Sequence, residues 1–164
     1  TSKSIQVKEP TIKLDRETAN IYPPATKTVT FTVTVNGVQG NSGVTWTSGN
    51  TKVATVSNGK VTAVSKGTAT ITAKANGKLA KAKVTVKDPY ANVSPTSGTI
   101  KIGKTLQLTT NYAPASTGTP SYSSSNKKVA TVDSKGVVKG VKAGTATITV
   151  KVNGVTAKAE LTVK

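Results

Sequence analysis

The chain has no cysteine, no histidine and no methionine among its 164 residues, and aromatic residues make up only 4% of it. Without cysteine nothing staples the fold covalently, and the sequence neither requires nor excludes an oxidising compartment. Without histidine or cysteine, the usual groups for proton transfer and nucleophilic attack near neutral pH are missing. Acids are scarce as well: six stand against 23 basic residues, for a net charge of +17. They are Glu9, Asp15, Glu17, Asp88, Asp133 and Glu160. Only Asp15 and Glu17 have the alternate spacing that would set two carboxylates side by side for glycoside hydrolysis. The simpler reading is that these two balance nearby lysines on an exposed turn. No apolar run approaches the length of a membrane-spanning helix. No basic-then-apolar leader opens the chain, so an export signal is expected upstream of Thr1 or already removed.

What the chain has is repetition. Lys52-Val-Ala-Thr-Val56, Gly67-Thr-Ala-Thr-Ile-Thr72, Asn76-Gly77 and Val84-Thr-Val-Lys87 return as Lys128-Val-Ala-Thr-Val132, Gly144-Thr-Ala-Thr-Ile-Thr149, Asn153-Gly154 and Leu161-Thr-Val-Lys164. A period this long indicates two copies of one small domain rather than a short-repeat solenoid. The copies are expected over residues 11–88 and 89–164, each small enough that only about 60 to 65% of the unfolded surface can be buried, so the cores are thin. Ile5-Gln-Val-Lys-Glu-Pro10 looks like Val84-Thr-Val-Lys-Asp-Pro89. Residues 1–10 therefore read either as the end of a preceding unit or as an extra edge strand, with Pro10 ending it in both cases. Basic charge is shared by the copies, thirteen basic against four acidic residues in 1–88 and ten against two in 89–164.

Alternation supplies the strands. Ile12 and Leu14 begin an edge strand before Pro23-Pro24, and Lys27 to Val35 sets Val29, Phe31, Val33 and Val35 on one face against four threonines on the other, the pattern of one half-buried strand. Val53 to Val56 leads through Ser57-Asn58-Gly59 into Lys60 to Val64, and the longest hairpin turns at Asn76-Gly77, a dipeptide suited to a tight turn with two positive φ angles. Ala69, Ile71, Ala73 and Ala75 are expected inward, with Lys74, Lys81, Lys83 and Lys87 outward. The second copy follows with Ile148 inward, and with Lys151, Lys158 and Lys164 outward. Asp88-Pro-Tyr-Ala-Asn92 is expected to link the two with restricted movement. Some seven short strands per copy without helical periodicity indicate two antiparallel sheets packed as a sandwich, with a small barrel as the competing arrangement.

The Trp46-Thr-Ser48 stretch, the Lys52–Val56 strand and the Gly67–Thr72 strand, in that order, resemble the bacterial immunoglobulin-like domain, group 2, over nearly the whole chain. The resemblance implies an all-β chain of two tandem immunoglobulin-like β-sandwich domains. It implies a non-enzymatic spacer, adhesion or display module of an exported bacterial protein or a phage virion, extracellular and embedded in a larger parent chain. Adhesins of the intimin and invasin kind, polysaccharide-degrading enzymes with accessory modules, and phage tail or capsid proteins carry such domains. The alternative it implies is an accessory carbohydrate-binding module of a secreted polysaccharide-active enzyme.

Some immunoglobulin-like arrays hold calcium between domains, and Glu9 and Asp88 recur at equivalent linker positions, but one acid per linker falls short of the oxygen count calcium needs. No cofactor is expected. A lysine-to-asparagine crosslink would need a buried lysine, whereas the lysines fall at outward or turn positions. Trp46 and Tyr122 occupy matching strand positions and are expected, with Phe31, Ile71 and Ile148, to fill the cores; Tyr90 and Tyr112 are the better exposed candidates for stacking on a sugar. The lysines remain. Lys74, Lys81, Lys83, Lys87, Lys151, Lys158 and Lys164 form a candidate contact for an anionic cell, virion or polysaccharide surface, against the alternative that they keep strand edges soluble. A single arginine, Arg16, argues against specific nucleic-acid reading, which favours the arginine fork.

Overall fold

The computed structural model describes residues 9–164, so the reading of Ile5 to Lys8 lies outside the described residues. The chain divides into two compact units between Asp88 and Pro89. In the first, the strands are β1 (Ile12–Leu14), β2 (Thr18–Ile21), β3 (Thr28–Thr30), β4 (Val33–Val35), β5 (Val38–Gln39), β6 (Thr45–Ser48), β7 (Ala54–Ser57), β8 (Lys60–Ala63), β9 (Gly67–Ala75) and β10 (Lys78–Val86). One sheet has the order β2-β10-β9-β6; facing elements form the ladders β1-β4-β5 and β3-β8-β7. Nearly every pairing is antiparallel. The exception is β2, which runs parallel to β10 with Thr18 opposite Lys83 and Ile21 opposite Val86. The first part of the chain crosses from one ladder to the other sheet between Leu14 and Thr18, so it enters beside the last strand in the same direction.

The stretch from Lys27 to Val35 is not one strand. It breaks at Phe31-Thr32: β3 pairs with β8, and β4 pairs with β1 and β5. The alternation survives because the corner keeps its parity, with Phe31 and Val33 both fully buried. Backbone groups freed by the break are claimed by remote residues. The Asn41 amide donates to the Phe31 carbonyl at 3.1 Å and to the Asn58 carbonyl at 3.1 Å, while its oxygen accepts from the Val33 N–H at 3.3 Å. The Asp15 carboxylate accepts from the Thr32 N–H at 3.1 Å. A corner braced this way leaves no buried backbone group unpaid, which a low-dielectric interior requires.

The second unit contains β11 (Tyr90–Ser94), β12 (Ser97–Ile100), β13 (Thr105–Gln107), β14 (Thr109–Ala113), β15 (Ser121–Ser124), β16 (Ala130–Val132), β17 (Val137–Gly140), β18 (Gly144–Val152) and β19 (Val155–Val163). Its sheets are β12-β19-β18-β15, β13-β17-β16 and β11-β14, with β12 again parallel to β19. The corner recurs at Leu108 with a different brace: the Gln107 amide donates to the Leu108 carbonyl at 2.7 Å and to the Lys135 carbonyl at 2.9 Å. Tyr90, Ala91 and Asn92, read as linker, are strand residues paired with Ala113, Tyr112 and Asn111. Only Lys87, Asp88 and Pro89 stand outside strands at the junction.

Each unit has its own apolar cluster. Phe31, Ile71 and Val84 are among the buried residues of the first, and Leu108, Ile148 and Leu161 of the second. No buried side chain among the described residues is polar or charged. The repeated motifs meet here. Gly67 and Gly144 adopt φ of 145° and 146°, and a β-carbon there would lie 2.8 Å from Val53 Cγ2 and 2.9 Å from Val129 Cγ2. The glycine of each Gly-Thr-Ala-Thr-Ile-Thr stretch thus accommodates the valine of each Lys-Val-Ala-Thr-Val stretch. Ser48 closes the same turn, its hydroxyl donating to the Ala54 carbonyl at 2.6 Å and accepting from the Asn50 N–H at 3.2 Å.

Candidate functional site

The outward faces of the two four-stranded sheets carry the lysines singled out from the sequence. Register places Thr45, Lys74 and Leu79 in one row of the first unit, Thr47, Thr72 and Lys81 in the next, and Thr70, Lys83 and Thr18 in a third. In the second unit the corresponding rows are Ser121, Lys151 and Thr156, then Ser123, Thr149 and Lys158, then Thr147, Glu160 and Ser97. Residues directly opposite stand about 4.5 to 5.5 Å apart at their β-carbons, so the lysines' cross-strand neighbours are mostly short hydroxyl side chains, with Leu79 beside Lys74. Branched threonines suit this pleated surface. Glu160 stands where the first unit has Lys83, which interrupts the basic row.

Lys74, Lys81, Lys83, Lys151 and Lys158 lie on these faces and are exposed. Lys87 and Lys164 fall just past β10 and β19, where their N–H groups donate to the Ile21 and Ile100 carbonyls. None of the seven forms an ion pair among the described residues, in which the paired cations are Arg16, Lys66 and Lys78. The basic surface is broader than the sequence reading placed it. Lys60, between Thr30 and Ser57, and Lys139, between Thr105 and Thr131, give the opposite sheets the same chemistry. Alternation could have shown this, because Lys60 and Thr62 share a parity.

The rings expected to fill the cores sit at their margins. Trp46 and Tyr122 occupy equivalent register positions, opposite Ala73 and Val150, but both are half-buried and pack against the clusters from outside the fully buried set. Phe31, Ile71 and Ile148, expected in the cores with them, are there, each with no exposed surface. Tyr122 Oη shares a 2.9 Å hydrogen bond with Thr110 Oγ1, while Trp46 Nε1 is buried without a partner. Tyr122 thus satisfies its polar atom, whereas Trp46 does not. Tyr90 is 43% exposed, Tyr112 is half-buried, and they lie on separate strands that pair one residue out of step. They build no aromatic strip.

Asp15 balances Arg16 and not a lysine. The guanidinium donates to its carboxylate at 2.7 Å and 3.0 Å and lies 5.7 Å from the Phe31 ring centroid. With its other oxygen on the Thr32 N–H, Asp15 is a structural brace rather than half of a carboxylate pair. Glu9 and Asp88 each face a lysine, Lys78 at 3.1 Å and Lys66 at 2.6 Å. No group of three metal-ligating side chains occurs among the described residues. The depressions are shallow. One of about 280 Å³ runs between β1 and β10 past Arg16, Leu79 and Lys81, and another of about 270 Å³ is lined by Tyr122, Ser123, Lys127 and Thr131.

Two sheets, a first strand divided between them, and an apolar interior define an immunoglobulin-like β-sandwich in each unit. Residues 10–86 and 90–163 each match the bacterial Ig-like domain (group 2), and the chain belongs to that family. Over 52 residues it is 54% identical to 3-O-alpha-D-galactosyl-alpha-L-arabinofuranosidase of Bifidobacterium longum subsp. longum, a match that covers 30% of this chain and 5% of that protein. Among solved structures, the S-layer protein rSbsC(31-844) is 22% identical with a TM-score of 0.49 over 99% of this chain and 28% of that one. Domains 4 and 5 of S-layer protein SbsC are 22% identical with a TM-score of 0.48, over 97% of this chain and 99% of theirs.

Proposed function

We propose that these two units are a non-catalytic spacer and contact module of a larger exported protein, displayed outside a bacterial cell or on a phage virion. The observation that supports this reading best is the division of labour between inside and outside. Among the described residues no buried side chain is polar or charged, which favours an interior that serves packing. The outer faces are mainly rows of threonine, serine and lysine, with Leu79 and Glu160 among them, and the seven candidate lysines form no ion pair among the described residues. Such a surface attracts extended anionic polymers such as teichoic acids or acidic polysaccharides through its summed field. Each strand bearing candidate lysines has nine residues and spans roughly 30 Å at about 3.3 Å per residue, long enough to follow several charged units of a polymer. Binding of this kind is screened beyond about 8 Å at physiological ionic strength. Retention on an anionic polymer column should therefore fall steeply with salt, and a Lys74→Glu, Lys81→Glu, Lys83→Glu variant should elute earlier than the parent. Equal retention would leave the lysines as edge protection.

A second reading draws on the stretch shared with the arabinofuranosidase: an accessory module of a polysaccharide-active enzyme. It predicts affinity for neutral polysaccharide that salt does not weaken. Tyr90 and Tyr112, which form no strip together, are the rings it would have to use. Affinity gel electrophoresis in neutral arabinan or galactan separates the two readings, since only a sugar-binding module would be retarded there.

A further inference from the structure

We propose that Asn76-Gly77, at the tip of the β9–β10 hairpin, is a site of spontaneous deamidation, and that the fold protects the other three Asn-Gly turns of the chain. In this reaction the Gly77 backbone nitrogen attacks Asn76 Cγ and loses its proton to solvent. The Nδ2 group leaves as ammonia, and a succinimide ring closes. Water then opens the ring at either carbonyl, giving aspartate or isoaspartate. The rate depends on how freely the amide side chain and the intervening peptide can rotate into contact.

All four asparagines start from nearly the same backbone, with φ of 50° at Asn36, 46° at Asn58, 50° at Asn76 and 52° at Asn153. Their restraints differ. Asn153, at the equivalent hairpin tip, donates from Nδ2 to the Pro114 carbonyl at 2.8 Å and accepts at Oδ1 from Thr117 Oγ1 at 3.3 Å, so both the leaving group and the electrophilic amide are held. Asn36 accepts the Thr11 N–H at Oδ1 at 2.9 Å. At Asn58 the carbonyl of the peptide that must turn is held by Asn41 at 3.1 Å, and Gly59 is buried. The glycines of the Asn36, Asn76 and Asn153 turns are alike exposed, with nothing within 4 Å of an added β-carbon, so what separates Asn76 is the hydrogen bonding of its side chain and not the room around its glycine. Neither the Asn76 side chain nor the Asn76-Gly77 turn peptide is held by a hydrogen bond among the described residues. A loop tip of this kind opens at little cost. The product is consequential because Asn76 sits between Lys74 and Lys78, and each event places a carboxylate amid the basic hairpin.

The test is a time course at mildly alkaline pH on the folded chain, read by peptide mapping for exchange of the amide for a carboxyl at each site. Two side-chain hydrogen bonds that must open first slow Asn153 by roughly tenfold or more, so Asn76 is expected to convert first and Asn153 to lag by that factor. A parallel sample unfolded in urea should bring Asn76 and Asn153 to similar rates. An Asn76→Ser variant should fail to develop the early acidic isoform. Conversion at Asn36, Asn58 or Asn153 as fast as at Asn76 in the folded chain would overturn the proposal. So would a rate difference that persists in urea, since it would then belong to local sequence and not to the fold.

Discussion

At the scale of single residues, the units depend on a few side chains whose roles are backbone chemistry. Asn41 satisfies three backbone groups around the Phe31–Thr32 corner. Asn41→Ala should lower stability by about 1 to 3 kcal/mol, the usual cost of stranding such groups, measured by urea unfolding of the first unit's transition. Gly67→Ala forces an L residue to a φ of 145° and a methyl against Val53. About 1 to 3 kcal/mol is expected for the backbone alone, with the collision added, and Gly144→Ala should behave alike; a neutral effect at either would mean the turn relaxes. Core truncation separates the rings by burial. Phe31→Ala should cost about 3 to 5 kcal/mol, whereas Trp46→Ala, at the margin of the same cluster, should cost distinctly less in the same measurement.

At the scale of elements, the hairpins were legible and the corner was not. Alternation over Ala69–Ala75 and Ala80–Val86 with Asn76-Gly77 between them fixes pairing locally, since every partner lies within one turn of chain. The break between β3 and β4 is invisible to alternation because the parity of Val29, Phe31, Val33 and Val35 runs through it unchanged. What breaks the strand is supplied by Asp15 and Asn41, distant in sequence. The parallel seating of β2 against β10 is likewise a long-range pairing without a local signal. Among the candidate contacts, the outward parity of Lys74, Lys81 and Lys83 could be read directly. Lys60 and Lys139 have the same outward parity on shorter strands, and the matching strand positions of Trp46 and Tyr122 show their equivalence without showing how far each ring is buried.

At the scale of the whole chain, each unit possesses a closed apolar cluster of its own, and autonomy follows. Residues 9–88 and 89–164, prepared separately, should each give a cooperative calorimetric transition, and the intact chain should show both with near-additive enthalpies. Failure of either half to fold alone would require an extensive surface shared between them. Chelation should leave both transitions unmoved, since the carboxylates of Glu9 and Asp88 face lysines and a calcium shell demands six to eight oxygens; a fall in melting temperature with chelator would point to a bound ion.

Adjacent copies of similar sequence invite a hazard of their own, the exchange of hairpins between neighbours during folding. The two corners bear on it. In the first unit the amide that seals the break reaches in from Asn41 and bridges to the Asn58 turn; in the second it comes from Gln107 and bridges to Lys135. A hybrid sandwich that borrowed β16–β17 for β7–β8 would bring the four-residue turn 133–136, in place of the two-residue turn 58–59, against a brace cut to another length. The two corners thus differ as keyed joints do, and strand exchange between the halves of this repetitive chain is expected to leave the borrowed corner unbraced.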